Sequence, residues 1–183
     1  MIEHECRRLL IVTGQEGAGK TTVVRALREH LSCGAVLDAE DIGQVTPWTM
    51  DDAFMEMFHR NVAAVVTNFW AAGYPNVVAG SFVSGYDDFL AFRRLLPEAV
   101  TFGVVQLLAS KPTRDRRRIA RMKPSSAEWR DHVDRVDPED VTLRRHGDEY
   151  RFLAVMTDGQ PLSETLGPSP QRFPRCSPID GPV

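Results

Sequence analysis

Short runs of β-branched and other apolar residues alternate along the chain with longer segments whose apolar residues recur at helical spacing. The runs are typical of buried parallel strands, and the longer segments are typical of the helices that cross between such strands. The pattern predicts five strands: Leu9–Thr13, Ala35–Asp38, Asn76–Gly80, Thr101–Leu108 and Arg151–Met156. It also predicts five helices: Lys20–Leu31, Met50–Ala72, Tyr86–Leu96, Thr113–Met122 and Ala127–Val136. This alternation indicates an α/β fold with a parallel sheet.

Capping and turn residues set the limits of the long second helix. Thr49 is the expected N-cap, and Asp51 and Asp52 suit the positive end of the helix dipole in the first turn. Gly73 and Pro75 then end the helix. We therefore expect one long helix between the second and third strands.

The length and composition of the chain favour a single domain with a short tail. The chain has 183 residues, which suits one compact domain over residues 1–166. Beyond residue 161 the composition shifts to Pro, Ser and Gly, so residues 167–183 are predicted to be a poorly ordered tail. The formal net charge is −3, so a long nucleic acid is not the expected partner.

The cysteines and the apolar runs indicate a cytoplasmic protein without a membrane anchor. Cys6, Cys33 and Cys176 are odd in number and lack metal-ligand spacing, which favours reduced thiols. The first residues are charged and lead into an apolar stretch that is too short for a signal peptide. No apolar run reaches the roughly 20 residues that a membrane span needs.

The most specific motif follows the first predicted strand and opens the first predicted helix. It fits GxxxxGK[ST], the pattern of a phosphate-binding loop, and its flanks supply the strand and the helix that such a loop requires. Backbone N–H groups of the loop would surround phosphate oxygens, with the Lys20 ammonium near the β- and γ-phosphates and the Thr21 hydroxyl on Mg²⁺. The predicted nucleotide-binding residues are Gly14, Gln15, Glu16, Gly17, Ala18, Gly19, Lys20, Thr21 and Thr22.

Carboxylates cluster directly after the second predicted strand, at Asp38, Glu40 and Asp41. In a doubly wound sheet this position lies at the carboxyl edge beside the phosphate loop, where ligands bind. The third and fourth predicted strands do not end in an aspartate, and the chain lacks the Asn-Lys-x-Asp guanine motif, which argues against a hydrolytic motor or a switch GTPase. The other interpretation of the acids is a solvated turn with a helix cap.

Four segments together resemble the small P-loop kinases related to shikimate, gluconate and adenylylsulfate kinases. They are GQEGAGKTT, LDAEDI after the second strand, RIAR at 118–121 and the late MTDGQPLSETL, and the resemblance covers about residues 9–166. It implies a P-loop NTPase fold, a three-layer α/β/α sandwich whose five-stranded parallel sheet has the order 2-3-1-4-5. It also implies ATP and Mg²⁺ as cofactors, and phosphoryl transfer to a hydroxyl of a small metabolite such as a sugar, a nucleoside or a natural product.

The resemblance assigns roles to the strand-end acids. In these kinases the second strand ends in Asp-x-Asp, whose first carboxylate holds Mg²⁺-bound water and whose second meets the acceptor hydroxyl. The matching residues here are Asp38 and Glu40. Because the second is Glu rather than Asp, Asp41 remains an alternative to Glu40.

The basic run from Arg114 to Lys123 falls where these kinases carry a lid, which we place at about residues 111–140. By family position, Arg118 and Arg121 are the arginines expected to contact phosphates. Repulsion among the arginines predicts a lid that is open until a triphosphate binds. The alternative is a solvated helix face, or one paired with the acids of 131–140.

The acceptor pocket is expected between the second and third strands, from residues 42 to 72, together with the edge at Ser81. Arg60 is a candidate for holding an acceptor anion, as an arginine does in related kinases, although a structural surface arginine is an equal alternative. The aromatic candidates for contact with a substrate ring are Trp48, Phe54, Phe58 and Tyr86. Among the five histidines, only His59 lies in this segment.

After the last strand, Gly159 and Gln160 fall where related kinases pass the backbone beside the adenine ring. Two functions compete with that of a small-molecule kinase: a nucleotide-binding regulatory protein without transfer activity, and a polynucleotide 5′-hydroxyl kinase. The second is disfavoured because no aromatic residues are interleaved with the basic run.

Overall fold

The computed structural model describes residues 7–47, 49, 51–121 and 126–159. Its sheet contains five strands, and every neighbouring pair is parallel in the order β2-β3-β1-β4-β5. The strands are β1 (Arg7–Thr13), β2 (Gly34–Asp38), β3 (Asn76–Gly80), β4 (Val100–Leu108) and β5 (Arg151–Met156). The predicted α/β class and strand order are confirmed.

Six α-helices and two 3-10 turns connect the strands. The helices are α1 (Lys20–Leu27), α2 (Asp52–Ala71), α3 (Tyr86–Arg93), α4 (Lys111–Ala120), α5 (Ala127–Val136) and α6 (Thr142–Arg145). A 3-10 turn at Arg28–His30 continues α1, and another at Ala39–Ile42 follows β2. The pattern had predicted the first five helices but not the four-residue α6. The predicted tail at residues 167–183 lies outside the described residues.

The N-cap of α2 differs from the predicted one. The Asp51 carboxylate accepts a hydrogen bond from the Phe54 N–H at 2.8 Å, so Asp51, and not Thr49, caps the helix. Asp51 has extended backbone angles, which suit an N-cap whose side chain turns back over the first turn. Thr49 lies two residues before this cap and is exposed.

The two faces of the sheet are covered by separate apolar clusters. Leu9 and Ile11 of β1 point into the cluster beneath α2 and α3, whereas Val12 points into the cluster beneath α1. This separation follows from the alternation of side chains along a strand. The central strand therefore carries apolar residues on both faces, as parallel strands with helices on both sides do.

One expectation about the cysteines is wrong. Cys33 is disulfide-bonded, whereas its spacing in the sequence had favoured a reduced thiol. The cysteines therefore do not support a cytoplasmic location, since that expectation depended on reduced thiols. Among residues 7–47, 49, 51–121 and 126–159, no helix is long and apolar enough to cross a bilayer.

The capping contact yields a stability prediction. Asp51→Ala removes the acceptor for the Phe54 N–H and should lower the free energy of unfolding by about 1 kcal/mol. For a chain of this size that loss corresponds to a melting temperature lower by roughly 2–4 °C, measured by circular dichroism. The matched control is Thr49→Ala, which should leave the melting temperature unchanged. A larger effect from Thr49→Ala would restore the original assignment of the cap.

Candidate active site

The phosphate loop follows β1 and is packed tightly against β4 and α4. Gly14 has φ +135°, and a Cβ there would lie 2.3 Å from the carbonyl oxygen of Leu107. Gly17 has φ +86°, and its Cβ would lie 3.0 Å from the carbonyl oxygen of Arg114. Both positions require glycine because of their backbone angles and because of this close approach.

The loop ends at the N-terminus of α1. Gly19 is the N-cap in the left-handed conformation, and no side-chain hydrogen bond caps the helix. The N–H groups of the first turn, at Lys20, Thr21 and Thr22, therefore lack the partners that a capped helix would provide. Such a terminus is suited to a phosphate group.

Lys20 is folded back over its own loop. Its Nζ donates hydrogen bonds to the carbonyl oxygens of Gly14 at 2.6 Å and Gln15 at 3.3 Å. Burial lowers the pKa of this ammonium below its ordinary value, while the nearby carboxylates of Asp137 and Glu40 act in the opposite direction. The loop carbonyls thus hold this charge over the loop itself.

Two polar side-chain atoms at the ends of β2 and β3 are buried without a hydrogen-bond partner among the described residues. They are Oδ1 of Asp38 and Oγ of Ser81. Asp38 is paired with Gly80 in the sheet register, so the two side chains come from neighbouring strand ends. Buried polar atoms are rarely left unsatisfied, so these two are suited to a ligand, an ion or its bound water.

A cavity of about 1030 Å³ extends from the phosphate loop to α2 and α5. Ten of the predicted site residues line it: Gly14, Gln15, Glu16, Lys20, Glu40, Phe54, Phe58, Ser81, Arg118 and Arg121. Nine others do not: Gly17, Ala18, Gly19, Thr21, Thr22, Asp38, Asp41, Arg60 and Gly159. Gln160 lies outside the described residues. Of the two candidates for contact with the acceptor, Glu40 lies in the wall and Asp41 does not.

Arg60 is placed away from the cavity. Its guanidinium pairs with Glu56 at 2.6 Å on the exposed face of α2, with two-thirds of the arginine side chain in solvent. Arg60 is therefore a surface arginine, which was the alternative interpretation. On this face of α2 its guanidinium is not placed to contact an acceptor anion in the cavity. Tyr86 is also outside the wall, where its ring stacks on His146.

Three arginines of the predicted lid, Arg114, Arg118 and Arg121, are paired with acids. Arg118 is 2% exposed, and its guanidinium lies 2.8 Å from Asp134 Oδ1 and 3.3 Å from Asp115 Oδ1. Burial alone would raise the pKa of Asp134, but the guanidinium groups of Arg118 and Arg114 lower it below its ordinary value. The expectation of an open lid driven by arginine repulsion is therefore wrong for this structure, because the charges are paired.

The lid also contacts the phosphate loop directly. The Asp137 carboxylate accepts a hydrogen bond from the Glu16 N–H at 3.0 Å, and the Asp137 carbonyl accepts one from the Gln15 amide at 2.8 Å. Arg118 donates to the Glu16 carbonyl at 2.9 Å, and Arg121 lies 3.7 Å from the Glu16 carboxylate. A carboxylate of the predicted lid therefore occupies a loop N–H group.

Arg117 is a site residue of the basic run that family position did not select. Its Nη1 donates to the carbonyl oxygens of Gly17 at 3.2 Å and Ala18 at 3.0 Å, and to Thr157 Oγ1 at 2.9 Å. Burial lowers the pKa of this guanidinium below its ordinary value. Arg117 thereby joins the loop to the turn after β5, where the adenine ring was expected. The basic run had marked the helix, but its periodicity did not separate Arg117 from Arg118.

Helix α5 supplies a wall that sequence reasoning also missed. Trp129, His132, Val133 and Val136 all line the cavity. His132, Val133 and Val136 follow Trp129 by three, four and seven residues, which places all four on one face of a helix. The sequence pattern therefore contained this signal. The histidine in the wall is His132, while His59 is buried with Nε2 3.0 Å from the Phe82 carbonyl oxygen.

No protein-family model matches the chain, and no curated protein sequence matches it. Solved structures do resemble it. A sugar kinase from Janibacter sp. HTCC2649 has a TM-score of 0.63 at 14% identity, covering 87% of this chain and 90% of its own. A gluconokinase from Sinorhizobium meliloti 1021 has a TM-score of 0.63 at 16% identity, covering 88% of each chain.

A third similar structure is the tunicamycin resistance protein from Deinococcus radiodurans. Its TM-score is 0.55 at 15% identity, and the match covers 86% of this chain and 90% of that one. At such identities the likeness shows the fold alone. The chain therefore has the P-loop fold that the sugar kinase and the gluconokinase also have.

Proposed function

We propose that the protein is an ATP- and Mg²⁺-dependent kinase that transfers a phosphoryl group to a hydroxyl of a small molecule. One observation carries this proposal: the phosphate loop with Lys20 and the strand-end carboxylate of Glu40 line the same cavity. The opposite side of that cavity is apolar, as in sites that bind small organic molecules. The P-loop fold shared with a sugar kinase and a gluconokinase supports this assignment.

The phosphate end is formed by the loop, α1 and the lid. The first-turn N–H groups of α1 bind phosphate oxygens, and Lys20 leaves its loop carbonyls to meet the β- and γ-phosphates. Arg121, which lies beside Glu16, is close enough to the loop to add a second positive charge. Since phosphoryl transfer needs little covalent help, catalysis here consists of alignment and charge stabilisation.

The donor set fits Mg²⁺. Thr21 lies in the first turn of α1, and the buried, unpartnered Asp38 Oδ1 at the end of β2 is suited to an ion-bound water. Mg²⁺ is typically held by one or two side chains together with substrate phosphates, so a cluster of ligating side chains is not required. When bound, the ion neutralises charge on the phosphates. Thr21 and Asp38 would hold the ion and its bound water.

Glu40 acts on the acceptor. Its carboxylate lies in the cavity wall, where it can accept the proton of an acceptor hydroxyl and align that hydroxyl with the phosphate end. Both acids are exposed, but only Glu40 lies in the wall, so we place Glu40 ahead of Asp41. The lid helix α5 closes the other side and limits the access of water.

A panel of hydroxylated metabolites, incubated with the protein, ATP and Mg²⁺, tests the function. At least one member should gain the mass of one phosphate. Lys20→Ala should reduce the rate by on the order of 10²-fold, because the ammonium stabilises developing charge on the phosphates. The fold of this variant is checked by circular dichroism.

Turnover in Lys20→Ala equal to wild type would contradict the nucleotide site. If no member gains a phosphate while ATP still binds, a regulatory nucleotide-binding protein is favoured. Phosphorylation of oligonucleotide 5′ ends with a steep salt dependence would favour a polynucleotide kinase.

Substitutions of the two strand-end acids, Asp38 and Glu40, should change different kinetic parameters. Asp38→Asn should raise the Mg²⁺ concentration needed for half-maximal rate, because the amide is a poorer partner for the ion's water. Glu40→Gln should lower kcat by on the order of 10²-fold with little change in that Mg²⁺ requirement. Asp41→Asn is the matched control and should be silent. A damaging Asp41→Asn with a silent Glu40→Gln would reverse the order of the two acids.

Nucleotide binding should displace Asp137 from the loop. Its carboxylate competes with phosphate for the Glu16 N–H and places a negative charge near Lys20. Asp137→Ala should therefore tighten ATP binding by roughly fivefold, measured by calorimetry. Glu139→Ala removes a nearby acid with no hydrogen bond to the loop in the described structure, and it should change the affinity less. Weaker ATP binding by Asp137→Ala would show that the contact instead supports the bound state.

A further inference from the structure

The positive charges of the cavity wall all lie at its phosphate end. Lys20 is held by loop carbonyls, Arg118 donates to the Glu16 carbonyl, and Arg121 lies beside the Glu16 carboxylate. Arg118 is in addition paired with the buried carboxylate of Asp134. Each of these cations is therefore close to the position of the triphosphate, and none is left for the acceptor.

Beyond the loop, the wall is acidic. The carboxylates there are those of Glu40, Asp88, Glu139 and Asp140. Asp88 accepts a hydrogen bond from the Ser84 N–H, and Asp140 accepts one from the Leu143 N–H, so these two have structural partners. The carboxylates of Glu40 and Glu139 have no ion-pair partner among the described residues. In this part of the described wall, His132 is the only basic side chain.

The same part of the wall is also apolar. Phe54 and Phe58 of α2 stack with ring centroids 5.6 Å apart, and Phe82 follows the unpartnered Ser81. Across the cavity, α5 presents Trp129 and Val136, which are 44% and 66% exposed. Large apolar side chains at this exposure gain free energy when an apolar surface covers them.

Given the proposed kinase function, on which this inference rests, we propose that the acceptor is a neutral or positively charged hydroxyl compound with an apolar ring. A carboxylate or phosphate on the acceptor would meet like charges at Glu40 and Glu139. It would also find no arginine or lysine to replace its lost hydration. Arg60, the residue expected to hold an acceptor anion, pairs with Glu56 outside the wall. An apolar ring instead fits between the phenylalanines of α2 and Trp129.

Three matched probes test the charge and the ring together. They are phenyl β-D-glucopyranoside, its 6-amino-6-deoxy analogue and phenyl β-D-glucuronide, which are neutral, cationic and anionic on one scaffold. Binding to the full chain is measured by calorimetry with a non-hydrolysable ATP analogue and Mg²⁺. The neutral and cationic probes should bind, and the anionic probe should bind about tenfold more weakly or not at all.

Two variants separate the contributions of the ring and the charge. Trp129→Ala should weaken the neutral and the cationic probes by a similar factor, leaving their ratio unchanged. Glu139→Lys should narrow the gap between the neutral and the anionic probes by at least threefold. Because both side chains are exposed, neither change should disturb the fold, and circular dichroism checks this.

The results have distinct meanings. An anionic probe that binds as tightly as the neutral one overturns the charge assignment, and failure of all three probes to bind overturns the ring assignment. Unchanged probe affinities in Trp129→Ala would also contradict the ring contact. Binding is read without phosphoryl transfer, so a chain that shows the predicted order but phosphorylates nothing contradicts the kinase function alone.

Discussion

The approach of the phosphate loop to strand β4 and helix α4 is the constraint on which the rest of the site depends. Gly14 lies too close to the Leu107 carbonyl for any Cβ, and Gly17 lies close to the backbone of Arg114 in a left-handed conformation that favours glycine. This contact fixes the loop between the sheet and the first lid helix, so that the N-terminus of α1 opens into the cavity. It also brings Arg117 and Arg118 onto the loop carbonyls, which couples the lid to the loop through short hydrogen bonds.

Ion pairs hold helices α4 and α5 together. The acids of α5, above all Asp134, neutralise arginines that would otherwise repel one another, and Asp137 uses a loop N–H group that a phosphate would need. Under the proposed function, a phosphate takes the place of Asp137 only by giving the Glu16 N–H group a better partner than this carboxylate. The groups that hold α5 on the loop are then among those that the proposed nucleotide site uses.

The sequence predicted the fold well because its signals are local. Strand runs, the loop motif and the alternation of elements each depend on neighbouring residues, and Glu40 followed from its place after β2. Arg117 and Asp137 could not be predicted in the same way, because their partners lie about a hundred residues away and all the arginines of the run carry the same charge. The N-cap of α2 was misplaced by two residues, since Thr49 and Asp51 are both good caps and only the backbone path selects one. The aromatic face of α5 was a local signal, and it was overlooked beside the stronger charge pattern.

The position of that face has a consequence for specificity. In the described structure the acceptor end of the cavity is built by α2 on one side and by α5 on the other, and α5 is also the helix that pairs with the lid arginines. Under the proposed kinase function, an acceptor that covers Trp129 and Val136 contacts the helix that pairs with these arginines. Binding energy from its ring would then help to hold α5 beside the phosphate loop, which would limit the access of water during transfer. A compound that only reaches Glu40, without touching α5, would bring its hydroxyl to the phosphate end but leave the lid without that support.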